Sequence, residues 1–304
     1  MRELTDVLKR QKIQYTCDLH GSELCTIGIG GVVPLVIRPA CVGELIDSVD
    51  ACRAFGVPYA VIGHGSNLLI SDAPGRIAII QTGALDAFQQ VSENRFWSLC
   101  GTSLIKLCAA VARCGFADLA FACGIPGSVG GAAYMNAGAY GSEMANVVEQ
   151  VEIYDPKCRK IRTIFNKELS CSYRYCSLQC ENVVVLSVTL QVKNVADPSE
   201  ILRQMRDLNA ARRAKQPLEL PSAGSAFKRI SPELSSAKLI AQSGLSGLRI
   251  GGAQISEKHT GFIVNVGGAT ALDVRRLMRI VQETLEKEYG CRPDPEIRFL
   301  PEDI

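Results

Sequence analysis

The ten residues Val61 to Ile70, VIGHGSNLLI, set the strongest limit on the fold: an apolar strand breaks at Gly63-His64-Gly65-Ser66-Asn67 and becomes apolar again at once. Two glycines one apart after a strand suggest the dinucleotide fingerprint G-x-G-x-x-G, in which a helix N-terminus faces a pyrophosphate. Here the third glycine position is Leu68, and Leu68-Leu69-Ile70 runs straight into the turn Asp72-Ala73-Pro74-Gly75. No helix fits between loop and turn. The sequence therefore argues against a Rossmann unit and asks for another reason to place a glycine, serine and asparagine-rich turn between two strands.

A chain of 304 residues holds about two domains with sizeable cores. With 47% hydrophobic and 21% charged residues it reads as a soluble globular protein, and its net charge of +2, with signs interspersed, gives nucleic acid or an anionic membrane no footprint. The thirteen cysteines are odd in number, scattered from Cys17 to Cys291, and form no C-x-x-C pair. Free thiols serving mostly as small core residues, in a cytoplasmic protein, are the expectation. The charged N-terminus lacks the apolar core of a signal peptide, and no apolar run approaches the ~18 residues of a membrane span. Three histidines without ligand spacing predict no metal site.

Leu45, Val49, Cys52 and Phe55 recur at helical spacing before Gly56, and Val57 to Ile62 follows as a buried strand that delivers the chain to the Gly63 loop. Strands are expected at Ile77–Gln81, Phe96–Cys100, Val147–Tyr154, Lys160–Ile164 and Val183–Val192, and a helix at Ser103–Cys114 with Thr102 or Ser103 as cap and Gly115 as stop. This irregular mixture predicts an α+β fold rather than an alternating parallel sheet. Composition shifts near Ala196-Asp197-Pro198, where a charged helix begins that Pro217 ends, so a domain boundary is expected near residue 195. Beyond it, Thr270 and Asp273 form a capping box for a helix with Val274, Leu277, Met278, Val281 and Leu285 on its apolar face and Gly290 at its end. A last strand is expected at Glu296–Leu300.

A second glycine-rich segment, Gly124 to Gly141, spaces Gly124, Gly127 and Gly130 three apart, with Gly131 next, and continues through Ala132, Ala133, Met135 and Ala137 as a small-residue helix. Glycines at a helix start let backbone amides approach an anion, and they equally permit close packing of the helix on a sheet. Both readings stand on this segment alone. Two amide-rich turns facing one pyrophosphate from opposite sides would need no Rossmann helix.

G-H-G-S-N-L-L after a strand, followed ~60 residues later by G-I-P-G-S-V-G-G-A, resembles the FAD-binding domain of the vanillyl-alcohol-oxidase type. The chain is closely similar to one family with that domain, the UDP-N-acetylenolpyruvoylglucosamine reductases. The shared motifs are Thr26-Ile27-Gly28-Ile29-Gly30-Gly31, Tyr173-Arg174, Ala223 to Lys228 and Pro295-Glu296-Ile297-Arg298, in order over almost the whole chain. The resemblance implies a two-subdomain FAD-binding fold at 1–195, divided near residue 78, and a C-terminal α+β substrate domain at 196–304 whose last strand packs back on the FAD domain. It points to the shorter type of the family, without a substrate-covering insertion after Arg174.

The same resemblance implies that NADPH is the co-substrate, that FAD is bound noncovalently, and that hydride reaches the enolpyruvyl group of UDP-N-acetylglucosamine-enolpyruvate to give UDP-N-acetylmuramate. Hydride attack on that alkene builds negative charge beside its carboxylate, which calls for groups that stabilise an enolate and one that protonates the adjacent carbon. By resemblance Arg174 and Glu296 polarise and Ser225 gives the proton. Glu296 helps only when protonated or bridged to a cation, since a bare carboxylate repels the enolate. Gly63, His64, Gly65, Ser66, Asn67, Gly127, Ser128, Gly130, Gly131 and Asn136 are the implied cofactor residues, and Arg212, Lys215, Arg229 and His259 the implied substrate residues. A cytoplasmic monomer acting on small molecules is expected.

Three positions depart from the family pattern. Cys176 stands where serine is usual, Ala241-Gln242-Ser243-Gly244 replaces a more acidic turn, and His64 lies in the pyrophosphate loop, where it is read as a bystander rather than a covalent flavin link. Two other readings remain open on the sequence: an oxidase of the same fold, and a flavin or nucleotide-sugar binding protein without turnover.

Overall fold

The segment VVLSVTLQ forms the strand Val184–Gln191, buried at every position but the last. A strand so apolar needs neighbours on both edges and cover on both faces. In the computed structural model, which describes residues 1–301, it lies at the centre of a five-stranded antiparallel sheet. The order is Lys160–Phe165, Val148–Asp155, Val184–Gln191, Arg95–Leu99, Phe88–Ser92. The two outer strands are mostly exposed and carry Gln89, Gln90, Lys160 and Arg162 among their residues, which blunts the sheet edges. The short helix Val129–Tyr134 packs on the central strand.

A second sheet orders Gln14–His20, Val32–Arg38, Ala78–Gln81 and Tyr59–Ile62, with Ala78–Gln81 parallel to both its neighbours. The helix Val42–Ala54 buries Leu45, Val49 and Cys52, while Phe55 is its C-cap. The following strand starts at Tyr59 rather than Val57, because the Val57 amide still donates to Cys52 and Pro58 has no N–H to give the ladder. These elements share one core that includes Leu35, Ile37, Val49, Ile80, Leu107, Val151, Val188, Ile201 and Met205. The helix Leu104–Arg113 starts after Ser103 and the helix Pro198–Lys215 follows Asp197, close to the expected limits.

The C-terminal part carries a four-stranded antiparallel sheet in the order Ser222–Ser225, Phe262–Asn265, Ala253–Ile255, Arg249–Ile250. The helix Ala271–Tyr289 has the capping box of Thr270 and Asp273 and ends at Gly290, whose φ of +67° is the left-handed conformation that glycine tolerates. Asp72 accepts from the amides of Ala271 and Leu272 at 2.8 and 3.1 Å, so this helix start is capped twice. The last strand, Arg298–Leu300, pairs parallel with Leu68–Ile70.

The chain forms two compact units assembled from separate stretches. One comprises Met1–Thr16, Leu35–His64 and Ala78–Arg212; the other comprises Cys17–Pro34, Gly65–Ile77 and the chain from Arg213 onward. A single cut at 195 does not describe them. Pairing of Leu68–Ile70 with Arg298–Leu300, and the bonds of Asn265 to the Ile27 and Gly28 carbonyls, gather 17–34 and 65–77 with the C-terminal part. The final three residues of the expected C-terminal domain, 302–304, lie outside the described residues.

All thirteen cysteines are free thiols, but only six are buried and five are exposed, so the reading of mostly core cysteines is corrected. Cys17 and Cys158, for example, sit on a strand with outward positions and in a surface turn. Among the described residues no helix is long and apolar enough to cross a membrane.

Candidate active site

The Gly63 loop is held at its start by three contacts. Thr82 Oγ1 donates to the Ile62 carbonyl at 3.1 Å, His64 Nε2 bonds the Gly101 carbonyl at 3.1 Å, and Gly63 lies against Ser128. A carbonyl only accepts, so Nε2 of His64 carries the proton, which ties the ring to the scaffold. A Cβ at Gly63 would fall on Ser128 Oγ. Gly65, at φ +67°, passes so close to the Leu24 carbonyl that a Cβ there would overlap it. The Gly65 carbonyl accepts from the Thr26 amide at 3.1 Å, and Thr26 Oγ1 donates to the Ser222 carbonyl at 2.6 Å. None of the five amides from Gly63 to Asn67 donates to an acceptor among the described residues. Consecutive unspent N–H groups with room made by glycine fit an anionic phosphate group.

The second glycine-rich segment is built differently from the expectation. Its helix is only Val129–Tyr134, capped by Ser128 Oγ accepting from the Gly131 amide at 3.2 Å. It stops before Met135 and Ala137, because Asn136 adopts a φ of +43° that a helix cannot continue through. The amides of Gly127, Val129 and Gly130 donate to the carbonyls of Ile125, Thr102 and Cys100. These N–H groups are occupied, so the picture of Gly127 to Gly131 offering a row of amides to a pyrophosphate is corrected. Close approach explains Gly130 instead: a Cβ there would stand 2.6 Å from Cys100 Cβ.

Arg174 sits in a hairpin of two short strands, Cys171–Ser172 and Tyr175–Cys176, joined by the two-residue loop Tyr173-Arg174. Arg174 has φ +56°, and its guanidinium lies 5.0 Å from the centre of the Tyr173 ring. Cys176 is fully buried, and Cys171 Sγ donates to its sulfur at 3.3 Å. The thiol in place of the usual serine thus fills an apolar position, and burial beside that sulfur pushes the Cys171 thiol up to about 12. Ser177, next in the chain, accepts from the Ser170 amide at 3.3 Å.

In the other unit, Ser225 ends the strand Ser222–Ser225 and pairs with Phe262. The next residue, Ala226, accepts from the Glu296 amide at 2.9 Å, and Phe227 bridges Pro295. Asn67 Nδ2 donates to the Glu296 carbonyl at 3.0 Å, and the Asn67 carbonyl accepts from the Arg298 amide at 2.9 Å. Asn67, Ser225 and Glu296 are thus joined through a short run of backbone. His259 is close to the same strand pair: its Nδ1 accepts from the Gly261 amide at 3.2 Å, while the Gly261 carbonyl takes the Ala226 amide at 2.7 Å. Burial pushes the His259 pKa below its ordinary value, and its ring meets Phe262 edge-on at 5.0 Å.

Of the remaining substrate candidates, Arg229 and Lys215 are exposed, with Arg229 Nε donating to the Ser231 carbonyl at 3.4 Å. Arg212 is half-buried, and its Nε is buried without a hydrogen-bond partner among the described residues. Gly124 makes room for it, since a Cβ there would stand 2.9 Å from Arg212 Cδ. Burial lowers its pKa, with Tyr140 and Cys123 acting the other way. Asn136 faces inward with both ends of its amide bonded to protein, so it does not present that amide to a cofactor. The turn at Ala241 to Gly244 is the end of the helix Ser236–Gln242, with Ser243 Oγ donating to Glu288 at 2.5 Å. Thr26, which links the Gly65 loop to the Ser222 strand, carried no role in the sequence reading beyond its place in a motif.

Two family profiles match the chain: one described as FAD binding domain, over residues 33–163, and one as UDP-N-acetylenolpyruvoylglucosamine reductase, C-terminal domain, over residues 216–300. A UDP-N-acetylenolpyruvoylglucosamine reductase of Clostridium botulinum is 40% identical over 275 residues, 90% of this chain and 89% of that protein. One from Caldicellulosiruptor bescii is 39% identical over 297 residues, 97% and 93% of the two chains. The crystal structure of the Thermus caldophilus UDP-N-acetylenolpyruvylglucosamine reductase matches with a TM-score of 0.78 at 35% identity, covering 95% of this chain and 99% of that one.

Proposed function

Because the chain belongs to the UDP-N-acetylenolpyruvoylglucosamine reductase family, we propose that it uses NADPH to reduce the enolpyruvyl group of UDP-N-acetylglucosamine-enolpyruvate, giving UDP-N-acetylmuramate for peptidoglycan synthesis. It is an FAD-containing oxidoreductase. When bound, FAD supplies the hydride that the substrate alkene accepts. The observation that carries the reading is the bond from Asn67, in the phosphate-type loop, to the backbone of Glu296, itself bonded to the residue after Ser225.

The amides of Gly63, His64, Gly65, Ser66 and Asn67 would hold the FAD pyrophosphate, and Ser128 with Gly127, Gly130 and Gly131 would wall the loop. Arg174 offers a planar charged fork to the substrate carboxylate, and its charge stabilises the enolate as it forms. Ser225 delivers the proton to the adjacent carbon, with Glu296 acting in its protonated or cation-bridged state. Arg212, whose partly desolvated guanidinium lacks an acceptor at Nε, suits an anionic group of the substrate, and Lys215, Arg229 and His259 complete the substrate contacts. The enzyme works as a cytoplasmic monomer.

Stopped-flow spectra test this directly. NADPH added anaerobically bleaches the flavin, and UDP-N-acetylglucosamine-enolpyruvate then restores its absorbance. Flavin bleached by NADPH that stays reduced with this substrate but reoxidises with oxygen refutes the assignment.

A further inference from the structure

Asn136 is 1% exposed and has a left-handed backbone. Its Nδ2 donates to the Ser172 carbonyl at 2.9 Å, and its Oδ1 accepts from the Ala145 amide at 2.9 Å. The orientation is fixed by chemistry, because a flipped amide would set oxygen against oxygen and N–H against N–H. Ser172 directly precedes the Tyr173-Arg174 loop and pairs with Tyr175 across it. That hairpin has only two residue pairs, too few to hold its own shape in water. A second tie runs the same way, from Gln179 Nε2 to the Tyr134 carbonyl at 2.9 Å. Both ties reach the end of the helix Val129–Tyr134, whose other end carries Ser128 against Gly63. Six helical residues span about 9 Å, so a short rigid rod joins the Gly63 loop to the Arg174 hairpin.

We propose that Asn136 is a positioning residue for Arg174: its side-chain amide locks the Ser172 carbonyl to the end of this helix and thereby sets where the guanidinium meets substrate. The inference rests on the assignment of Arg174 to the substrate carboxylate made above. It accounts for an asparagine at a buried left-handed position, where glycine would satisfy the backbone but leave the Ser172 carbonyl unanchored.

The decisive variant is Asn136→Asp. Aspartate tolerates the backbone conformation and keeps an acceptor for Ala145, but it turns a carboxylate oxygen toward the Ser172 carbonyl. With the variant holding FAD, reduction by NADPH stays within about 2-fold of wild type, while reoxidation by UDP-N-acetylglucosamine-enolpyruvate slows about 10- to 100-fold, the scale of an ångström-sized misplacement. The defect shrinks on acidification, because a buried carboxyl has a raised pKa and donates again once protonated. In an Arg174→Ala background the same change costs less than about 2-fold. Without flavin, amides 171–176 of the variant exchange with solvent faster than in wild type. Asn136→Gly, which suits the backbone and removes both bonds, gives the same selective loss if the aspartate variant does not fold. Equal slowing of both half-reactions, or full multiplication of the defect with Arg174→Ala, overturns the inference. Wild-type enzyme that NADPH reduces but the enolpyruvyl substrate cannot reoxidise overturns the proposed function itself, and this inference with it.

Discussion

Replacing Gly63 by alanine tests how the Gly63 loop is built. Gly63 has no positive φ, so the backbone accepts a Cβ without strain, and the whole penalty is steric. The new methyl group falls on Ser128 Oγ and 3.0 Å from Ser128 Cβ. Ser128 is 2% exposed, and its hydroxyl caps the helix Val129–Tyr134 through the Gly131 amide. Driving that oxygen aside removes the cap, worth about 0.5–2 kcal/mol. It also leaves a buried hydroxyl without its partner, at about 1–3 kcal/mol. Gly63→Ala is therefore expected to destabilise the apoprotein by about 1.5–5 kcal/mol, read in a thermal melt at about 2–4 °C per kcal/mol. Ser128→Gly alone costs only a few tenths of a kcal/mol, since glycine is itself an acceptable cap. Adding Gly63→Ala to Ser128→Gly then costs almost nothing more, because the obstructing oxygen and Cβ are gone. A double-mutant cycle in which the two changes simply add refutes the steric account of this glycine.

Ser225→Ala should leave flavin reduction by NADPH nearly intact while slowing reoxidation by UDP-N-acetylglucosamine-enolpyruvate by about 10² to 10⁴, the usual loss for a positioned general acid; equal damage to both half-reactions removes the assignment. His259 has a folded pKa below the ordinary 6.5, so the unfolded chain takes up its proton first. Its contribution to stability is complete above 6.5 and is lost as pH falls through that value toward the folded pKa. Asp155, Asp197, Glu219 and Asp273 all have lowered pKa values and titrate below this window. Melting temperatures between about pH 7.5 and 5.5 should therefore fall more for wild type than for His259→Gln, and equal slopes contradict the assignment. Asp72→Ala removes the acceptors of the Ala271 and Leu272 amides and should lower stability by about 0.5–2 kcal/mol, since Thr270 still caps the helix; an unchanged melt counts against the second cap.

The parts of this fold that were legible in the sequence are those whose cause is local. The box Thr270-x-x-Asp273, the glycine after Tyr289 and the 3.6-residue stripe between them each act within a turn or two, and the helix Ala271–Tyr289 follows them. The strand Val184–Gln191 was legible because seven successive apolar or small residues, Val184 to Leu190, admit few other environments. The short strands Ser222–Ser225, Ala253–Ile255 and Arg249–Ile250 have too few residues to show a period, and only their pairing with Phe262–Asn265 and each other defines them. The compact units were hidden for a related reason. Leu68–Ile70 joins the C-terminal part through Arg298–Leu300, more than two hundred residues away, and nothing near Leu68 announces a parallel partner at that distance.

The glycine-rich segments show why the site was only half legible. Glycine is required both where backbone N–H groups must face an anion and where one backbone presses on another, and the letter is the same in each case. What separates the two is the fate of the amides. From Gly63 to Asn67 they are unspent among the described residues, whereas those of Gly127, Val129 and Gly130 go to Ile125, Thr102 and Cys100. The second segment therefore serves the first: it brings Ser128 under Gly63 and, at the far end of the same helix, Asn136 to the Ser172 carbonyl. A motif that resembles a second anion site acts physically as a brace between the Gly63 loop and the hairpin that carries Arg174. Substitutions along Val129–Tyr134 should on that account disturb cofactor retention and Arg174-dependent chemistry together, although none of these side chains need touch a ligand.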